Sequence, residues 1–140
     1  MVDPESITNR LARLAQLLAA LQRTHAEGLD AYLADADARA ATERRLQLAI
    51  QVCIDIGAHL VSELDAEPAS DYAGVFGSLA AAGVIDAELA TRLARATGQR
   101  NVLVHDYLVV DDRLVFEALA GLDDLRGFAA DVQRLLDAGG

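Results

Sequence analysis

Ile7, Leu11, Leu14, Leu18 and Leu21 recur at spacings of three and four, which sets one apolar stripe along a helix over residues 4–24. Asp3-Pro4-Glu5 suits the start of that helix: Asp3 as N-cap, Pro4 where a missing N–H costs no bond, and Glu5 as an acid in the first turn. Gly28 closes or interrupts the run. Residues 30–64 carry a longer helical pattern, and between Leu46 and Leu60 it includes Leu48, Ile50, Val52, Cys53, Ile54 and Ile56. Apolar side chains there point nearly all round the cylinder, so this helix is either central to a bundle or covered by a second subunit. Glu67-Pro68-Ala69-Ser70 is a break, with Ser70 placed to cap a short helix over 72–82. Gly83 ends that helix, and Asp86 is placed to cap the next, through Leu89, Leu93 and Ala96. After Asp111-Asp112, the series Leu114, Val115, Leu119, Leu122, Leu125, Phe128, Val132 and Leu135 predicts a last amphipathic helix ending in Gly139-Gly140.

The stretch from Asn101 to Val110 is rich in β-branched residues, and local propensity alone would allow a strand. A lone strand in a helical chain leaves its backbone groups unsatisfied, so helix is expected through about Tyr107. Thr97-Gly98 just before it costs a helix about 1 kcal/mol relative to Ala and predicts a kink or a close backbone approach. The pattern as a whole predicts an all-α fold: a bundle of four main helices plus a short one, in one domain over residues 1–140.

Composition agrees and narrows the class. Apolar residues make up 53% and charged residues 24% of the 140 positions, a folded globular balance. Aromatics are only 4% and Trp is absent, so the core must be built from Leu, Ala, Val and Ile. No apolar run approaches the ~20 residues a bilayer demands, which predicts no membrane span. The single cysteine, Cys53, has no internal partner for a disulfide, and the polar first ten residues do not read as a signal peptide, so a cytoplasmic protein is expected. A formal charge of −10 argues against a protein that coats nucleic acid. It leaves room for an enzyme that meets RNA at one small arginine-bearing site.

The phosphate-loop, dinucleotide, zinc-protease, paired-cysteine and serine-hydrolase signatures are all absent. With three histidines, metal chemistry has little to work with. Asp55 and His59, one turn apart, could share a metal, but a hydrogen-bonded pair in the bundle core is the favoured reading because no further ligands gather nearby in sequence. His25 falls near the end of the first helix, where a cation is welcome. No metal and no cofactor are expected.

The densest collection of functional groups is Arg100-Asn101-Val102-Leu103-Val104-His105-Asp106-Tyr107. On an ideal helix Arg100 and Tyr107 nearly eclipse, Asn101 and His105 share a neighbouring strip, and Leu103 points away. The plain structural reading makes Arg100 and His105 surface residues and Tyr107 a half-buried anchor. The longer string, Arg-Asn-Val-Leu-Val-His-x-Tyr, resembles the motif of the HepT-like family in the HEPN superfamily. These are ribonuclease toxins paired with MntA-like nucleotidyltransferase antitoxins. Glu43 to Leu60 is similar to that family's long second helix, and Asp71 to Ile85 to its short connecting helix. The three blocks agree in order and spacing, over most of residues 40–110.

The resemblance implies a HEPN-like bundle of four to five helices, a two-fold dimer, and an endoribonuclease acting without a metal. Arg100, Asn101 and His105 would be the catalytic residues, and Tyr107 the acceptor of AMP from the antitoxin. The chemistry suits the side chains. Cleaving RNA through its own 2′-hydroxyl needs a proton removed there and negative charge stabilised on the phosphorane. A histidine titrating near neutrality serves the first and an arginine fork the second. One histidine per chain is thin for paired acid and base work, and a dimer cleft would supply another. Arg92 and Arg95 lie on the approach and read first as a solvated helix face, with a local positive patch as the alternative. Two other classes compete: a non-catalytic HEPN module presenting substrate or nucleotide to a partner nucleotidyltransferase, and a structural helical dimer without a ligand.

Overall fold

The computed structural model describes the backbone of residues 4–105 and 111–139 and the side chains of 4–98 and 111–139. Among the described residues the chain is helical and contains no strand: α1 (Pro4–Glu27), α2 (Leu29–Ala34), α3 (Ala36–Glu63), α4 (Tyr72–Ala81), α5 (Ala87–His105), α6 (Asp112–Ala118), a 3₁₀ turn (Leu119–Gly121) and α7 (Leu122–Gly139). The four long helices are those the apolar periodicity predicts. Asp3, the expected first cap, and Tyr107 lie outside the described residues.

Three boundaries differ from the sequence expectation, each for a local reason. The pattern over 30–64 is not one helix. Asp35 adopts an extended conformation, and its carboxylate accepts from the Ala38 amide at 3.0 Å, so it ends α2 and caps α3. The guanidinium of Arg39 donates to the Leu33 carbonyl across this corner. Asp71 rather than Ser70 caps α4, accepting from the Gly74 amide at 2.7 Å. The last helix is broken in two by the 3₁₀ turn. Leu119 and Leu122 are both buried and three residues apart. Three residues per turn is the 3₁₀ repeat, so the tighter turn sets both directly over one another on the core side, where an α-helix would offset them by about 60°. Gly28, at φ +92°, makes the expected break between α1 and α2.

Helix α3 packs against every other helix, which selects the central-helix alternative for its all-round apolar pattern. Leu46, Ala49, Ile50, Cys53, Ile54, Ile56 and Leu60 on α3 are buried in one core with Leu14, Leu18 and Leu21 of α1 and Phe128 and Val132 of α7. The close backbone approach lies at Gly57 and not at Gly98. A Cβ on Gly57 would stand 2.7 Å from Val75 Cγ1 and 3.3 Å from Leu79 Cδ1, whereas one on Gly98 would meet open space, and α5 runs on through it. The absent side chain at Gly57 is what lets α4 settle on α3.

Candidate functional site

Helix α5 positions the candidate residues, and its own sequence explains why it is well seated. Asp86 accepts from the Leu89 amide at 2.7 Å, capping the start as expected. Leu89, Ala90, Leu93 and Thr97 form the buried stripe, facing α3, α4 and α7. The Thr97 hydroxyl, enclosed in that stripe, donates back to the Leu93 carbonyl at 3.0 Å and so leaves no unpaired donor. Arg100, Asn101 and His105 occupy the last turns of this continuous helix. Asn101 and His105 stand one turn apart, about 6 Å along the axis, with Arg100 one position earlier. The side chains of these three residues, and the whole of Tyr107, lie outside the described residues.

Before it reaches the motif, α5 forms one wall of a cleft of about 210 Å³. Arg92, Arg95 and Ala96 line that wall, with Leu46 and Ile50 of α3 at the floor. The opposite wall comes from the α6–α7 corner: Glu117, Ala118, Gly121, Leu122, Asp124 and Leu125. Arg92 Nε donates to Asp124 Oδ1 at 2.8 Å, and that bond, with the acidic neighbours Asp86 and Glu88, holds the guanidinium's pKa above its usual value. Arg95 is exposed and makes no ion pair among the described residues. Arg100 stands one helical turn beyond Ala96, so the cleft and the motif are consecutive along one helix. Sequence reasoning found the α5 wall and missed the opposite one. Glu117 sits in an apolar run, and nothing in its neighbours signals that the 3₁₀ corner turns it towards α5.

The other candidates resolve plainly. Asp55 and His59 do not pair in the core: Asp55 is exposed and accepts from Gln51 Nε2 at 2.8 Å, while His59 Nε2 faces Glu63 Oε1 at 3.8 Å. The i,i+4 spacing that suggested the pair serves Gln51 and Glu63 equally well, and each neighbour lies on the same strip of α3. His25 does sit in the last turn of α1, its ring 5.4 Å from that of Phe116. Cys53 is fully enclosed, and burial pushes its thiol pKa well up, so it is no nucleophile. Among the described residues no three His, Cys, Asp or Glu gather as a metal site, and no helix is long and apolar enough to cross a membrane.

Residues 7–132 match the protein family described as ribonuclease HepT-like. The chain belongs to the HepT-like family. This HepT-like chain is 34% identical to the tRNA nuclease HepT of Aphanizomenon flos-aquae over 119 residues, 85% of the chain and 81% of that protein. Its fold is similar to that of the tri-AMPylated HEPN toxin of Shewanella oneidensis solved in complex with the MNT antitoxin. The TM-score there is 0.83, at 24% identity, over 96% of this chain and 99% of that one. The cytosolic protein YutE of Bacillus subtilis is similar in the same way, with a TM-score of 0.85 at 19% identity over 99% of this chain and 93% of that one. At such identities the two structures establish the HEPN-like fold.

Proposed function

We propose that this HepT-like chain is the toxin of a toxin–antitoxin pair, an endoribonuclease that needs no metal and is silenced by AMP attached to Tyr107. The observation that carries the reading is the pairing of family membership over residues 7–132 with a complete Arg100-Asn101-x-x-x-His105-x-Tyr107 string, whose Arg100, Asn101 and His105 close a well-seated helix. His105 takes the proton from the 2′-hydroxyl of the RNA, and the freed oxygen attacks the adjacent phosphorus. The 5′-oxygen departs with a proton, leaving a cyclic phosphate and a 5′-hydroxyl. Arg100 neutralises charge building on the equatorial oxygens, which is where a fixed donor fork contributes most. Asn101, one turn from His105, orients the imidazole or the phosphate. The second proton transfer falls to His105 of a second copy across a two-fold cleft. The identity to a tRNA nuclease makes tRNA the first substrate to try.

Partner and regulation follow the same reading. The Shewanella toxin carries AMP and was solved with an MNT antitoxin, which supports a nucleotidyltransferase partner here. An AMP group on Tyr107, two residues after His105, adds bulk and negative charge beside Arg100 and competes with the RNA phosphate. The test is inducible expression in a bacterial host, wild type beside Arg100→Ala, His105→Ala and Tyr107→Phe, with growth and tRNA integrity scored together. Wild type is expected to arrest growth and cut tRNA, and the Arg100 and His105 variants to do neither. Tyr107→Phe should stay toxic and escape relief by a co-expressed nucleotidyltransferase. A harmless wild type of confirmed unmodified mass would move the assignment to a non-catalytic module that presents a nucleotide to its partner.

A further inference from the structure

The cleft beside the motif combines features that a bare helix face lacks. Its floor is apolar, from Leu46, Ile50 and Ala96, and its two rims carry opposite charge, Arg95 on α5 and Glu117 on α6. Arg92 is already committed to Asp124, so Arg95 is the cation on this wall left for a ligand. In a chain of net charge −10, a guanidinium facing an apolar recess is an unusual local environment for an anion. A phosphate alone would use the guanidinium and gain nothing from the floor or from Glu117. An apolar peptide would leave both charges unanswered. A nucleotide uses all three: the phosphate meets Arg95, the face of the base covers the aliphatic floor, and a base N–H points at the Glu117 carboxylate.

We propose that this cleft is a nucleotide subsite on the RNA path, in which Arg95 holds a backbone phosphate and Glu117 accepts a hydrogen bond from the amino or imino edge of the base. The proposal rests on the ribonuclease reading above and adds to it a binding and specificity role for residues outside the motif. Arg100 stands about one turn, ~6 Å, beyond Ala96 along the axis of α5, so the cleft and the motif lie within reach of neighbouring nucleotides of one strand. Glu117 favours guanine, whose imino N–H and amino N–H stand side by side and can both reach one carboxylate, over adenine, cytosine and uracil, which each offer it a single donor. Arg95 is a positioning residue and Glu117 a specificity-determining one.

The experiment measures binding and cutting separately, on purified wild type, Arg95→Gln and Glu117→Gln, with thermal unfolding as the folding control. Binding is read by fluorescence anisotropy with a 2′-O-methyl oligonucleotide, which cannot be cut because its attacking oxygen is blocked. Cutting is read on the unmodified RNA of the same sequence. For Arg95→Gln, Kd and KM should both rise about tenfold with kcat nearly unchanged, and the dependence of binding on salt should flatten by roughly one phosphate contact. Glu117→Gln should raise KM for RNA with the favoured base at this position and narrow its lead over the other bases. If wild type cuts RNA and both variants bind and cut as it does, the subsite is wrong and the ribonuclease reading stands. If wild type neither binds nor cuts any RNA, the reading fails first and the subsite with it. Unchanged RNA binding by Arg95→Gln, together with weakened capture of the nucleotidyltransferase, would assign the cleft to the protein partner and overturn the proposal.

Discussion

The seam between α3 and α4 and the cleft between α5 and the α6–α7 corner are built on opposite principles. At the first, Gly57 gives up its side chain so that Val75 and Leu79 press against backbone, and every neighbouring group is apolar. At the second, the walls stand apart, charged side chains line the rims, and the one ion pair, Arg92 with Asp124, is exposed. Close packing stabilises through many small dispersion contacts that solvent cannot replace. An exposed ion pair is screened and contributes little. The lesson is a division of labour along α5: its buried stripe of Leu89, Leu93 and Thr97 fixes the helix, and the flanking strip of Arg92, Arg95 and Ala96 lines the cleft.

Four substitutions would break or sharpen this contrast. The largest effect is expected where α4 and α7 meet across the core. Phe76 and Phe128 are buried edge to face, with centroids 5.7 Å apart and ring planes at 87°. Phe128→Ala should cost about 3–5 kcal/mol in urea denaturation, and a cost near that of a surface change would mean stability does not reside in the packed seam. Gly57→Ala comes next. The new methyl would fall 2.7 Å from Val75 Cγ1, which predicts a loss of about 1–3 kcal/mol by overpacking. Adding Val75→Ala should return part of that loss, so a double-mutant cycle with no coupling would exclude the clash as its cause.

The third substitution probes the corner where α2 meets α6. Tyr32 is buried with its ring 5.3 Å from Phe116, and its hydroxyl has no hydrogen-bond partner among the described residues. Burial, helped by the charges of Asp112 and Glu43, pushes its pKa up from 10.0 to about 12. The fold therefore favours the neutral phenol. That contribution is constant below pH 10 and is lost as the pH rises from 10 towards about 12, where the unfolded chain ionises first. Tyr32→Phe should leave stability at pH 7 equal or slightly higher, since no bond is lost, and should flatten the alkaline fall seen in wild type. A steeper fall in the variant would contradict the assignment. The smallest effect belongs to the cleft itself: Arg92→Gln removes an exposed pair and should give no resolvable change in the thermal midpoint. A clear drop would show that the cleft rim holds the fold together after all.

How much was legible beforehand depends on the range of the interaction. The four long helices follow from apolar spacing, and the caps at Asp86 and the break at Gly28 from residue type, because each is decided within one turn of chain. Where two residues compete for one local role, spacing alone picked the wrong one. Ser70 was the expected N-cap, and its neighbour Asp71 took the role. Asp55 had two partners at helical spacing, Gln51 and His59, and the amide took it. The motif Arg100, Asn101, His105 and Tyr107 was visible as a string, and the structure adds that its first three members end a helix seated by Leu89, Leu93 and Thr97.

By itself, then, the sequence determined the all-α class, the helix that carries the motif and the family to which the chain belongs, because periodicity and a contiguous string survive without knowledge of neighbours. Only the tertiary structure decided that α3 is central within one chain, that Gly57 and not Gly98 is the point of closest approach, and that Glu117 and Arg95 line the same cleft. Those facts depend on which faces meet. Residues far apart in the chain are brought together by the burial of one shared core, and no local propensity records that outcome.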